Sequence, residues 1–245
     1  MLDFLTRTFD ETCKALKLVK FDTHNPIHLG VMSLYCTIIE QTEDVIALQQ
    51  AGKHATLDII LRSTLEAYVD LANLCNDKSY FDHMKAAYHK QWIKLAKHGV
   101  AGGNPYLKSY EENPAALELL KQHEAALDHL AATPPLSVFD CFRRADMEAV
   151  YRSVYSSLCN ETHNNITALI NRHWRSEGDG MKLVIFEEAD ARSLEPALST
   201  FIGILVHGSI IIHDYFQSDA RETVGLMAAD HKAFFEHHAA TMTAA

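Results

Sequence analysis

Charged side chains recur at every fourth position of one predicted helix, over about residues 54–75, and this spacing could set a base beside a cation. The stripe consists of His54, Asp58, Arg62, Glu66 and Asp70. Steps of four keep side chains on one slowly drifting helical face. Ile59 and Val69 share the arc of Arg62 and Glu66, and flanking apolar residues favour partial burial of such a charge pair. We therefore expect Arg62 to hold an anionic group and Glu66 to serve as a general base.

The same stripe has a plainer interpretation as a solvent-facing ladder of ion pairs. Opposite charges four residues apart stabilise a helix by about 0.2–0.5 kcal/mol per pair. Such ladders are common on solvated helix faces. The spacing alone does not separate a ladder from a polar cleft.

A second group of polar side chains gathers at a predicted helix end, in the segment YRSVYSSLCNETHNN at residues 151–165. Asn and Thr commonly cap helix ends, so part of this cluster has a structural explanation. That explanation does not cover His163. Because functional residues gather where elements end, we expect His163 to face a site, where it is the alternative general base.

The predicted penultimate helix, about residues 190–216, is apolar on almost every side from Phe201 to Phe216, as expected of a helix at the centre of a bundle. Its polar and small exceptions fall on one arc of roughly 100°, and they are Ser199, Thr200, Gly203, His207 and Asp214. His207 alone is better explained as a core histidine bonded to a backbone carbonyl. Together with Asp214, it favours a polar cavity inside the bundle in which Asp214 orients His207.

These segments together predict one polar cavity. Its candidate catalytic residues are Arg62, Glu66, His163 and His207. A variant of the hypothesis places a divalent metal there, Zn, Mn or Fe, because mixed nitrogen and oxygen ligands suit these ions. The metal ligands would be Glu66, His163, His207 and Asp214. The cofactor is otherwise unspecified.

Common catalytic motifs are absent from the sequence. It has no HExxH, no paired Glu-x-x-His, no GxGxxG, no Walker loop and no GxSxG, so the chemistries that these motifs serve are not indicated. The Arg-x4–6-His signature of the helical HEPN ribonucleases follows none of the arginines.

Composition indicates a folded helical protein. Of 245 residues, 48% are hydrophobic and only 10 are Gly and 6 Pro, which excludes extended disorder and a turn-rich all-β fold. The net charge of −10 argues against a nucleic-acid partner, because phosphate backbones favour clustered Lys and Arg.

Five single cysteines are typical of reduced thiols in a cytoplasmic protein. We find no signal-peptide pattern, and the most apolar stretch, about residues 201–212, is too short to span a membrane.

Periodicity predicts a mainly α protein, a multi-helix bundle with one small β-hairpin. Helices are expected over about residues 2–19, 26–50, 54–75, 79–98, 114–131, 146–162, 190–216 and 219–242. The Asp179-Gly180 turn signal, followed by an apolar β-branched run, predicts the hairpin at about residues 173–187. We expect a single domain over residues 1–245, with a loop-rich insertion at about 99–145.

Two segments, RSTLEAYVDL at residues 62–71 and SSLCNETHNN at residues 156–165, together resemble an uncharacterised family of bacterial helical proteins known only as a domain of unknown function. The resemblance extends over about residues 30–216. It implies an all-α cytoplasmic protein and assigns no catalytic residue.

Two classes of function remain open. The first is a metal- or ligand-binding enzyme whose cavity takes a small-molecule or anionic ligand. The second is a non-catalytic interaction module, or a stress-response or phage-defence component, in which the same residues form a buried structural network. A homo-oligomer is compatible with either class.

Overall fold

The computed structural model describes residues 1–163 and 165–243, apart from the side chains of residues 239 and 241–243. Asn164, which belongs to the polar segment noted in the sequence, lies outside the described residues. The fold is mainly helical with one two-stranded antiparallel sheet, which confirms the predicted fold class.

The helices follow one another along the chain with short connections. They are α1 (Leu2–Leu16), α2 (Pro26–Gln50), α3 (Leu57–Asn76), α4 (Tyr80–Val100), α5 (Pro114–His129), α6 (Val138–Arg144), α7 (Glu148–Val150), α8 (Ser156–Thr162), α9 (Ile166–His173), α10 (Ala191–Tyr215) and α11 (Arg221–Thr243). A 3-10 helix, Pro105–Tyr110, precedes α5, and a π-helical turn, Tyr151–Tyr155, joins α7 to α8.

Three of these helices begin at an Asn-Pro pair. The side chains of Asn25, Asn104 and Asn113 each accept a hydrogen bond from a backbone N–H two residues on. A capping asparagine satisfies an N–H that lacks an intrahelical partner, and proline at the first position has no N–H to satisfy. The starts of α2, the 3-10 helix and α5 are thus fixed by local chemistry.

The hairpin lies within the predicted range of about 173–187. Its strands are β1 (Trp174–Glu177) and β2 (Gly180–Leu183), with Glu177 paired to Gly180. The two-residue turn is therefore Gly178-Asp179, one residue earlier than the expected Asp179-Gly180. Gly178 has φ +58°, a left-handed conformation that glycine adopts without a steric penalty.

The chain divides into two compact units. One comprises residues 1–75 and 142–245, and the other comprises residues 76–141. In the second unit α4 packs along α5 and against the 3-10 helix. The stretch 99–145, expected to be loop-rich, contains α5 and α6. The single domain with an insertion stays a prediction.

Helix α10 supplies the core of the first unit, as its apolar sequence predicts. It packs against α1, α2 and α11, and its buried residues are Leu198, Phe201, Ile202, Ile204, Leu205, Val206, Gly208, Ser209, Ile212 and His213. At Gly208 a methyl group would lie 3.7 Å from the Tyr35 ring and 3.9 Å from Leu71, so α2 and α3 also approach this helix. The Tyr35 and Ser209 hydroxyls share a buried hydrogen bond of 2.7 Å.

Among the described residues, α10 is the one helix that is long and apolar enough to cross a membrane. Over half of its most apolar stretch, 56%, is buried by the rest of the unit, as in a bundle core. This finding leaves the cytoplasmic location a prediction.

Candidate functional site

Two helical faces meet at Arg62. Helix α3 contributes Arg62 and Glu66, and the π-helical turn with α8 contributes Tyr155, Thr162 and His163 at the end of α8. We call these five residues the Arg62 cluster. All of them lie in the first compact unit. The structure therefore brings together three of the residues predicted from the sequence, Arg62, Glu66 and His163.

The guanidinium of Arg62 is held on several sides. Its Nε and Nη2 donate to the Tyr155 hydroxyl at 3.3 and 3.2 Å. Its Nη1 donates to Thr162 Oγ1 at 2.9 Å. Its Nε also lies 3.3 Å from Glu66 Oε1, as an ion pair four residues apart on α3. Several fixed acceptors hold an arginine more firmly than one ion pair, because its donors form a rigid planar fork.

The Tyr155 hydroxyl links the two charged groups of the cluster. It donates its one proton to Glu66 Oε1 at 2.5 Å, so its lone pairs are the atoms that accept from Arg62. The Tyr155 ring is buried and packs against Phe142 and Tyr151, with ring centroids 4.9 and 5.2 Å away. A buried aromatic side chain thus fixes the position of a partly exposed salt bridge.

Tyr155, which contacts α3, is the last residue of a π-helical turn. The sequence predicts an uninterrupted helix over about residues 146–162, whereas the structure interrupts it with a π-helical turn at Tyr151–Tyr155. The Ser156 hydroxyl donates to the Tyr151 carbonyl at 2.7 Å, which satisfies an acceptor where the regular hydrogen-bond pattern changes. Single π-helical turns inside α-helices occur often at functional sites.

His163 lies at the exposed edge of the cluster, directly after α8. Its Nε2 is 3.1 Å from Arg62 Nη1. A guanidinium has only donors, so Nε2 must be the acceptor and the ring must be neutral with its proton on Nδ1.

Hydrogen bonds and burial raise the pKa values of two residues of the cluster, Arg62 and Tyr155. The hydrogen bond with Tyr155 raises the pKa of Arg62 above its ordinary value, so Arg62 stays charged. Burial, and then the hydrogen bond to Glu66, raises the pKa of Tyr155, so the hydroxyl keeps its proton. Neither group is therefore available as a base near neutral pH.

One turn before Arg62, Asp58 extends the polar face of α3. Burial raises the pKa of Asp58, although the positive charge of Arg172 opposes that rise. Arg172 of α9 in turn lies 3.5 Å from Glu161 of α8. The stripe seen in the sequence is therefore more than a solvent-facing ladder, because it faces α8 and α9 over at least two of its turns.

His207 and Asp214 occupy a different place from the expected cavity. Both side chains are exposed on α10, and the His207 ring contacts His231 of α11 with centroids 6.1 Å apart. Among the described contacts, neither residue shares a hydrogen bond or ion pair with the Arg62 cluster. The buried histidine of α10 is His213, whose Nδ1 lies 2.5 Å from the Ser218 hydroxyl.

The metal hypothesis receives no support from the arrangement of side chains. In residues 1–163 and 165–243, no three or more His, Cys, Asp and Glu side chains come close enough together to hold an ion. The metal roles of Glu66, His163, His207 and Asp214 stay predictions.

Sequence reasoning left Tyr155 and Thr162 out of the candidate site, although a signal for them was present. Tyr155, Cys159 and Thr162 stand at intervals of four and three, which places them on one helical face. That face ends at His163. A charged stripe on α3 can form a site only with a second polar face, and this face is the one that sequence reasoning overlooked.

Comparison with known proteins gives a family and no activity. Residues 28–181 match the model of a family of unknown function, DUF5677. The match spans well over half of the chain, so the chain belongs to this family, in agreement with the resemblance seen in its sequence. No curated protein and no solved structure matches the chain.

Proposed function

We propose that this member of the DUF5677 family binds a small anionic molecule through Arg62 and that His163 transfers a proton to or from it. The observation that carries the proposal is a guanidinium that is fixed by Tyr155 and Thr162 while its side chain remains 25% exposed beside an exposed histidine. A fixed donor loses little freedom when a ligand binds it.

A count of the N–H donors of Arg62 leaves one for a ligand. A guanidinium carries five N–H donors. Thr162 and His163 take the two Nη1 protons, and Tyr155 faces Nε and one Nη2 proton. Within the described residues one Nη2 proton remains, and an anion there would receive a charge-assisted hydrogen bond.

Of the two candidate bases, His163 is the better placed. Glu66 Oε1 already accepts from Tyr155 and lies against Arg62, so this oxygen is already engaged within the cluster. His163 touches the cluster through one nitrogen, and an imidazole changes charge in the physiological range. In this proposal Glu66 and Tyr155 position Arg62, and His163 moves the proton.

A titration with sulfate tests the anion site. We expect Arg62→Gln to weaken sulfate binding about tenfold or more, the effect of losing a charge-assisted hydrogen bond. Arg62→Lys keeps the charge and loses the planar fork, so it should bind with intermediate strength. Arg175→Gln is the matched control, since Arg175 pairs with Glu187 in the hairpin region. Equal binding by all three variants would contradict the proposal.

A second candidate, a non-catalytic module that self-associates, is favoured by the hairpin region. Ile166, Ile170, Trp174, Leu183 and Ile185 are exposed and line a groove of about 470 Å³ beside Phe186, which is 91% exposed. Large exposed apolar patches mark interaction surfaces. Residues 172–187 contain three basic and three acidic side chains, so this region adds no net charge to an interface between two copies of a chain with net charge −10.

Sedimentation at increasing concentration tests this second candidate. A self-associating module should dissociate when Phe186→Ser removes the exposed ring. Tyr106→Ser makes a similar change at a side chain that is 93% exposed in the other compact unit and should leave association unchanged. A monomer at every concentration would remove this candidate.

We assign either function to the cytoplasm of a bacterium. The support is that all five cysteines are free thiols in the structure, as a reducing compartment would keep them.

A further inference from the structure

We propose that the exposed face of α4 binds single-stranded nucleic acid, with lysines along the phosphates and Tyr88 against a base. The inference goes beyond the proposed function and does not depend on the anion site, because every residue that carries it lies in the second compact unit. It starts from the distribution of charge along the chain.

Residues 83–110 are a basic stretch in an acidic chain. They contain five Lys and no Asp or Glu, whereas the whole chain has 32 acidic residues in 245. An even distribution would place three or four acidic residues in a stretch of this length. The net charge of −10, which argues against a nucleic-acid partner, is therefore an average that does not describe this segment.

Most of this positive charge lies on the exposed face of α4. Lys90, Lys94 and Lys97 are exposed, and spacings of four and three place them on one side of the helix. Lys97 pairs with Glu124 of α5 at 2.8 Å, whereas Lys90 and Lys94 meet no carboxylate among the described contacts. Two such cations, about 6 Å apart along the helix axis, suit a partner with a repeating negative charge.

An exposed aromatic ring lies on the same helix. Tyr88 is 53% exposed, although its ring also packs against Trp92 and His123, with centroids 6.2 and 5.7 Å away. The Trp92 ring in turn stacks on His123, which is buried. A ring that its neighbours brace while half of it stays exposed can stack against an unpaired base with little loss of freedom.

The lysines and the aromatic ring together favour one class of partner. An acidic peptide would gain from Lys90 and Lys94 but has no base to stack on Tyr88. A duplex presents phosphates but keeps its bases stacked inside. A single strand offers both phosphate charges and free base faces, which is the combination that positively charged aromatic surfaces bind.

Fluorescence anisotropy of the full-length chain with labelled oligothymidylate and oligouridylate, each of about 15 nucleotides, tests the inference. We expect the affinity to fall about sevenfold to twentyfold between about 50 and 200 mM salt, because phosphates that contact two or three lysines release their counterions. Binding of either strand supports the inference, and the ratio of the two affinities shows whether the face prefers DNA or RNA.

A double substitution tests the lysines. Lys90→Gln with Lys94→Gln should weaken binding and remove most of its salt dependence. Lys14→Gln with Lys17→Gln makes the same change of charge at exposed positions at the end of α1, and it should leave both the affinity and the salt dependence unchanged.

Two substitutions at Tyr88 test stacking. Tyr88→Ala should weaken binding about fivefold to 150-fold, the worth of one stacked base. Tyr88→Phe keeps the ring and should bind like the parent. In a Trp174→Phe background Trp92 is the one remaining tryptophan, and the oligonucleotide should quench its fluorescence.

Three results would overturn the inference. The first is absence of binding to both strands. The second is equal binding by Tyr88→Ala and the parent, or equal binding of a duplex of the same length, because either would exclude stacking. The third is polyglutamate that binds as tightly as the strands, which would identify the face as a docking surface for an acidic protein. None of these results bears on sulfate binding at the Arg62 cluster.

Discussion

Tyr155 is the residue on which the geometry of the Arg62 cluster depends most, because one hydroxyl serves both Arg62 and Glu66. We expect Tyr155→Phe to lower the free energy of unfolding by about 1–3 kcal/mol, since it leaves a partly buried charge pair short of partners. The same variant should weaken sulfate binding, because Arg62 would no longer be held in one position. Chemical denaturation and calorimetry measure the two effects.

Tyr106→Phe is the control for this variant. The Tyr106 side chain is exposed, and surface substitutions of this kind change stability by about 0.5 kcal/mol or less. If Tyr155→Phe behaved like Tyr106→Phe in both measurements, the hydroxyl would have no organising role.

The partly buried carboxylate of Asp58 lowers the free energy of unfolding at neutral pH. Burial raises its pKa, so the folded state binds a proton more tightly than the unfolded state does. Stability from this group is therefore greatest in acid and is lost as the pH rises from the unfolded pKa through the folded pKa. Asp58→Asn should melt at a higher temperature than the parent at pH 7, and the difference should vanish in acid.

Asp214→Asn is the comparison for Asp58→Asn. Asp214 is exposed on α10, so its substitution should leave the melting temperature nearly unchanged at both pH values. Equal effects of the two substitutions would show that the burial of Asp58 carries no cost.

At the level of single residues, sequence patterns indicate which charged side chains come together better than they indicate which way a side chain points. The four-residue spacing identifies Arg62 and Glu66, and the polar helix end identifies His163, because both patterns break a local rule. Tyr155 was not singled out, since a tyrosine in a helix is ordinary until its hydroxyl is seen to meet a charge. His207 was assigned inward, but the helix turns it to the surface and buries His213 instead.

Among the helices, α10 allows the clearest test of which polar residues belong to the core. His213 is fully buried, with Nδ1 bonded to Ser218, whereas His207 is exposed. We expect His213→Ala to cost about 1–3 kcal/mol of stability because Ser218 loses its buried partner. His207→Ala should change stability by about 0.5 kcal/mol or less.

Thermal melts of the two variants decide this point. Ile212→Ala is a useful third variant, since Ile212 is fully buried and a cavity there should cost about 2–5 kcal/mol. Were His207→Ala as destabilising as His213→Ala, the orientation assigned to α10 would be incorrect.

Helix boundaries that depend on local chemistry were the most predictable feature of the elements. The start of α2 follows from Asn25-Pro26 and the start of α5 from Asn113-Pro114, as each asparagine caps its own helix. The π-helical turn was not predictable, because it reflects how Tyr151 and Tyr155 pack against Phe142. Helix α6, with seven residues, is too short for a periodic pattern to stand out.

At the scale of the molecule, the two compact units contain different kinds of polar contact. The first unit encloses hydroxyl pairs such as Tyr35 and Ser209, which carry no charge in the physiological range. The second unit joins α4 to α5 through two histidines, His89 and His123, whose Nδ1 atoms are 2.8 Å apart. The stability of the second unit should therefore depend on the protonation of these two histidines.

One proton lies between the two Nδ1 atoms of the histidine pair, and the contact is lost when both rings are protonated, because both Nδ1 atoms are then donors. Trp92 stacks on the His123 ring at 6.0 Å, and His123 is buried. Burial, the neighbouring His123 and the charge of Lys85 all lower the pKa of His89. A folded-state pKa below the unfolded value means that this stability is present at high pH and is lost as the pH falls below about 6.5.

We expect amide hydrogen exchange in α4 and α5 to accelerate between about pH 7 and pH 5, after correction for the intrinsic rate. His89→Gln keeps a polar side chain that does not titrate, and it should remove most of this pH dependence. His129→Gln, in the last turn of α5, changes a histidine outside the pair and should leave the dependence intact. If His89→Gln still opened in acid, or if His129→Gln removed the pH dependence, the proton sensitivity would not belong to the histidine pair.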